Sequence, residues 1–84
     1  MDIVILDSAH KHGITDESIH SCLFNVRGGM LLSDSPPKHM VAGFDHLGNA
    51  LELVTIDEEE RNLLIVIHAM KLQKQNMDLL EGDL

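Results

Sequence analysis

The hydrophobic pattern of the chain begins with a short apolar run. Ile3 to Leu6 lies between Asp2 and Asp7 and reads as a strand. Ser8 is placed to cap a one- to two-turn helix through Ala9, His10, Lys11 and His12, and Gly13 supplies the left-handed position that ends it. Thr15 then caps a second helix, with Asp16 and Glu17 in its first turn, where they complement the helix dipole. Ile14 and Ile19 have the spacing of a hydrophobic staple. Ile19, Cys22, Leu23 and Val26 follow the i, i+3, i+4, i+7 rule of a core-facing helix stripe, and Gly28-Gly29 is read as the stop.

Beyond Gly29 the pattern predicts strands. Met30 to Ser33, His39 to Phe44 and Ala50 to Ile56 are separated by the loop Asp34 to Pro37 and the turn Asp45 to Asn49. The acidic turn from Asp57 to Asn62 leads into Leu63-Leu64-Ile65-Val66-Ile67-His68-Ala69-Met70-Lys71. This β-branched, almost uniformly apolar run predicts a central strand, the most buried of the sheet. Leu72 to Leu80 shows helical spacing and predicts a short C-terminal helix. Consecutive strands on short turns make an antiparallel meander. The expected fold class is α+β: two short N-terminal helices packed on an antiparallel meander of about four to five strands, with a short C-terminal helix, as one domain over residues 1–84.

Composition narrows the partners. The chain carries 14 acidic against 6 basic residues, a formal net charge of −8. Such a surface repels phosphates and gains nothing from counterion release, which argues against a high-affinity, non-specific nucleic-acid binder. With Phe24 and Phe44 the only aromatics, base-stacking platforms are scarce. An acidic module suits a basic protein partner, and the Asp57 to Glu60 run is the natural place for one to dock. The single cysteine, Cys22, forms no internal disulfide and reads as a small core filler. The start lacks a basic leader and no run approaches transmembrane length, so a cytoplasmic chain without membrane contact is expected.

Six histidines are the main chemical resource. His10 and His12 diverge on one turn, His20 falls on the solvent side of the second helix, His39 opens a strand and His46 sits in a turn. None has metal-ligand spacing, and no cofactor is expected. No Gly-x-Ser-x-Gly element signals a serine nucleophile. An ionisable His68 in an apolar strand, however, is costly unless something satisfies it. Glu52 interrupts the run Ala50 to Val54 and shares its face. If paired residues sum to 120, Glu52 lies directly opposite His68, with Cβ atoms about 4.5–5.5 Å apart. A carboxylate there holds the tautomer of the imidazole and readies it for acid–base work. The alternative is a purely structural cross-strand pair.

Lys11-His12-Gly13-Ile14 after a short helix, Ala42-Gly43-Phe44, Gly48, Leu51-Glu52-Leu53-Val54 and the run Leu64 to Lys71 together resemble the BrnT-type toxins. These are small ribonuclease toxins of bacterial toxin–antitoxin modules, distantly similar in fold to RelE. The resemblance covers most of residues 1–75. It implies a metal-independent endoribonuclease whose base, acid and phosphate-binding cations are drawn from His12, His68, Lys11 and Lys71, with Glu52 orienting or sharing proton transfer. It also implies RNA as substrate and a basic, DNA-binding antitoxin as partner. Two departures stand out: the family is basic where this chain is acidic, and Met70 occupies the place of an arginine at the end of the last strand. A non-enzymatic interaction module on the same scaffold, binding a basic partner through the acidic surface, is the alternative function.

Overall fold

Residues 1–81 are described by a computed structural model. Five strands, β1 (Asp2–Ile5), β2 (Val26–Asp34), β3 (Pro37–Phe44), β4 (Ala50–Glu58) and β5 (Leu63–Lys71), form one sheet in the order β1-β5-β4-β3-β2. The stretch β2 to β5 is the expected antiparallel meander. β1 departs from it by adding in parallel at the edge of β5, with Ile3 opposite Leu64 and Ile5 opposite Val66. The architecture is therefore α+β, with β5 in the sheet interior as its β-branched run predicts.

Burial corrects one expectation. β4, not β5, is the most buried strand: Leu51 to Thr55 are all buried, whereas β5 buries only Val66 and Ala69. β4 has an antiparallel neighbour on both sides from Leu51 to Ile56, while short β1 covers only half of β5.

One face of the sheet carries the core. Leu51, Leu53, Val66 and Ala69 pack with Ile19 and Cys22 of the helix α1 (Asp16–Leu23) and with Ala9. Thr15 caps α1 as its sequence demands, Oγ1 accepting the Ser18 N–H at 3.1 Å. Ile14 and Ile19, the staple pair, both join this core.

Helix placement differs from the pattern reading in three ways. The first helix is a single 3-10 turn, Asp7–His10, with Leu6 rather than Ser8 at its cap and no side-chain cap bond. Ser8 instead donates its hydroxyl proton to the Ile67 carbonyl of β5 at 2.7 Å. Gly13, at φ +79°, then turns the chain towards α1. The second helix ends at Leu23, and Val26 and Gly28-Gly29 belong to β2, where Val26 lies opposite Gly43 and Gly28 opposite Ala42. Helical spacing at Val26 is overridden there by strand pairing. Gly43 permits the approach, because a Cβ on it would sit 2.5 Å from the Asn25 carbonyl oxygen. The C-terminal element is a 3-10 helix, Lys74–Glu81, which lies against β2 and β3 and buries none of its residues.

Candidate functional site

The register of β4 and β5 builds the site. From Glu58 opposite Leu63 to Thr55 opposite Val66 the paired numbers sum to 121, but from Val54 opposite His68 to Leu51 opposite Lys71 they sum to 122. The extra residue is Ile67, a β-bulge whose carbonyl takes the Ser8 hydroxyl bond. Without the bulge, His68 would lie opposite Leu53 and point into the core face. The bulge turns it to the other face, which Glu52 shares; re-aiming a side chain is a common use of such an irregularity. It also explains why Val66 and Ala69, three apart, both reach the core.

The expected direct pairing of Glu52 with His68 is thus corrected. Glu52 faces Met70 in the ladder, and His68 faces Val54. An error of two residues keeps both side chains on one face and makes them diagonal neighbours, within reach of a long side chain. His68 Nε2 lies 3.2 Å from Glu52 Oε2.

Glu52 is fully buried. Its Oε1 accepts the Gln73 N–H at 2.9 Å and the Asn76 amide at 3.0 Å, and Oε2 accepts the Gln73 amide at 3.0 Å in addition to His68. Burial pushes the carboxyl pKa up, but the bonds from Asn76, from the Gln73 backbone and side chain, and from His68 outweigh it and hold the group below the ordinary glutamate range. The carboxylate is therefore ionised and can only accept, so Nε2 of His68 carries the proton. Nδ1 makes no hydrogen bond among the described residues, which leaves its lone pair open in the neutral ring.

His12 stands beside this pair. Its ring centroid is 5.6 Å from that of His68, at an interplanar angle of 75°. The first 3-10 turn brings it there, because that turn follows β1 directly and packs against β5 at the bulge. Three of the five sequence-predicted site residues, His12, Glu52 and His68, are thereby brought together. Lys11, next to His12, is exposed and makes no ion pair among the described residues. Lys71 is not brought to the pair: it lies opposite Leu51, on the core face, three residues on from His68 and so on the other side of the sheet.

Gln73 and Asn76, which the sequence pattern places only in a helix, complete the surroundings of Glu52. The signal was present, since a carboxylate set in the apolar β4 run demands donors, and amides follow directly after β5. The remaining histidines serve elsewhere. His10 pairs with Asp16. The His46 backbone N–H donates to Ser21 Oγ at 2.9 Å, while that hydroxyl lies 3.1 Å from the Ser18 carbonyl, which clamps the β3–β4 turn on α1. His39 Nδ1 lies 3.8 Å from Asp57. Cys22 is inert, its thiol pushed up to about 11 by burial and by the nearby Asp45 charge.

At the far end of the sheet, Asp34, Asp57, Glu58, Glu59 and Glu60 surround a groove of about 570 Å³ beside Pro36 and Pro37. Arg61 is held by Glu58 at 2.7 and 2.9 Å, which keeps that carboxyl low. Among the described residues no group of three or more His, Cys, Asp or Glu is arranged to hold a metal ion, and no helix is long and apolar enough to cross a membrane. Comparison with protein-family models, curated proteins and solved structures finds no match to the chain.

Proposed function

We propose that this chain is the toxin-like subunit of a toxin–antitoxin module and cleaves RNA without a metal, using His12 and His68 for proton transfer and Glu52 to hold His68. The observation that carries this reading is the pair of imidazoles 5.6 Å apart, one of them bonded to a buried carboxylate. Cleavage of this type needs one base and one acid. The base takes the 2′-hydroxyl proton, the 2′-oxygen attacks phosphorus, and the acid protonates the departing 5′-oxygen, leaving a 2′,3′-cyclic phosphate and a 5′-hydroxyl. With Nε2 of His68 tied to Glu52, Nδ1 is the atom for the base role. The protonated form of the more exposed His12 is the matching acid. Since Lys71 lies on the other face, phosphate charge falls to Lys11 and to the imidazolium itself.

The charge of −8 makes RNA affinity low, because few cations are available to neutralise phosphates and release their counterions. Induced expression tests the reading: growth inhibition that is relieved by co-expressing an adjoining small open reading frame, with cleavage of RNA in the presence of a chelator to ends bearing cyclic phosphate. Normal growth and intact RNA refute it.

The acidic groove at the β2–β3 and β4–β5 turns favours a second reading, a non-enzymatic interaction module. Five acidic residues line it, of which Glu58 is paired with Arg61. A basic segment bound to that groove loses affinity as salt rises, whereas a salt-insensitive complex counts against this reading.

A further inference from the structure

A second cleft, on the core-face side of the sheet end, is absorbed by neither reading. It has a volume of about 470 Å³, within the range of small-molecule sites, and lies between the start of α1, the β3–β4 turn and the end of β5. Ile14, Leu51, Leu72 and Met77 give it an apolar wall, and Thr15, Asp45 and Lys71 bring the polar groups.

The polar groups are not equivalent. Asp45 is buried, and Oδ1 accepts the Leu47 and Asn49 backbone N–H groups at 3.0 and 2.8 Å while Oδ2 accepts the Asn49 amide at 3.2 Å. Burial pushes its carboxyl up, but the bonds from Asn49, from Ser18 and from the Leu47 backbone prevail and hold it low. This carboxylate is already saturated by the turn it organises, so it offers a ligand no acceptor.

Lys71 differs. It is exposed at the cleft and forms no ion pair among the described residues. Thr15 Oγ1 accepts the helix-cap bond from Ser18 and keeps its own proton to donate. The cleft therefore presents the Lys71 ammonium and the Thr15 hydroxyl over an apolar wall, while its carboxylate, Asp45, is occupied by the β3–β4 turn.

We infer that this cleft binds a small amphipathic monoanion, a carboxylate carried on an apolar chain, with the carboxylate on Lys71 and Thr15 and the chain against Ile14, Leu51, Leu72 and Met77. The net charge of the protein is screened over about 8 Å at physiological salt, and the Asp45 carboxylate on the cleft is bound by the Leu47 and Asn49 donors, so the charge of Lys71, unpaired among the described residues, selects the ligand.

Octanoate titrated into the full chain, followed by amide NMR shifts, tests the assignment. Saturable shifts are expected at Thr15, Leu51, Leu72 and Met77. Lys71→Gln weakens octanoate about tenfold or more, since a charge-assisted bond is lost, and leaves 1-octanol binding unchanged. Met77→Glu, at an exposed position on the cleft wall, abolishes octanoate binding by setting a like charge beside it. Absence of saturable binding, shifts at the exposed Met30–Leu32 strip instead, or equal affinity in Lys71→Gln would overturn the inference.

Discussion

Glu52 and His68 are diagonal, not opposite, neighbours across β4 and β5, and their 3.2 Å contact exists because a bulge at Ile67 turns His68 away from the core. The same contact makes the fully buried Glu52 a hub for four hydrogen bonds, three of which come from the segment that follows the sheet. In the proposed mechanism, proton transfer and the docking of the C-terminal segment therefore share one carboxylate.

His68→Ala is expected to lower RNA cleavage about 10²–10⁴-fold, the contribution of one positioned proton-transfer group, and His12→Ala to do the same. His20→Ala, at an exposed position of α1, leaves cleavage unchanged. Cleavage rates of purified variants with matched melting temperatures check this; equal rates for the wild type and His68→Ala remove His68 from the mechanism.

Glu52→Ala strands the donors of Gln73, Asn76 and His68 at a buried position. Unsatisfied donors of this kind cost about 1–3 kcal/mol each, less where water can enter, so a total loss of about 2–4 kcal/mol is expected. Hydrogen exchange separates this from a general loosening. The amides of residues 73–76 should lose protection first, while those of Leu53 and Val66 follow global stability.

Acid should destabilise the fold through Glu52 and Asp45. Both carboxyls sit below their ordinary values of 4.5 and 3.8 in the folded protein. Such a group adds stability above its unfolded value and loses it as the pH falls through the folded value. Urea midpoints measured across the pH range are expected to drop steeply below about 4.5, the ordinary glutamate value. Glu52→Gln should show a shallower slope in that window, and a slope equal to that of the wild type would contradict the assignment.

Gly43→Ala and Gly13→Ala test two different reasons for glycine. At Gly43 an added Cβ meets the Asn25 carbonyl oxygen at 2.5 Å and the Val26 Cα at 3.0 Å, so backbone must move and about 2–3 kcal/mol is lost. At Gly13 the Cβ meets nothing, and only the left-handed φ of +79° is penalised, by about 1–2 kcal/mol. Urea denaturation should rank Gly43→Ala as the more damaging.

Local sequence pattern determined a good deal. Thr15 with Asp16 and Glu17 placed the start of α1, the β-branched run from Leu63 marked an interior strand, and alternation along β4 put Glu52 and Val54 on one face. These follow from the 3.6-residue and two-residue periods, which a short window contains. Pairing decided the rest. Val26 to Gly29 became strand because β3 offers an edge and Gly43 allows close contact there, which no local propensity reports. β1 joined β5 in parallel because that edge was open. The bulge at Ile67 set which face His68 takes and gave the Ser8 hydroxyl its carbonyl, whereas Lys71, three residues on from His68, lies on the opposite face by strand alternation alone. Residues Gln73 and Asn76 reached Glu52 only when the chain folded back over β2 and β3. Register is a long-range property: one inserted residue reverses every side chain beyond it, and only the assembled sheet states where that residue falls.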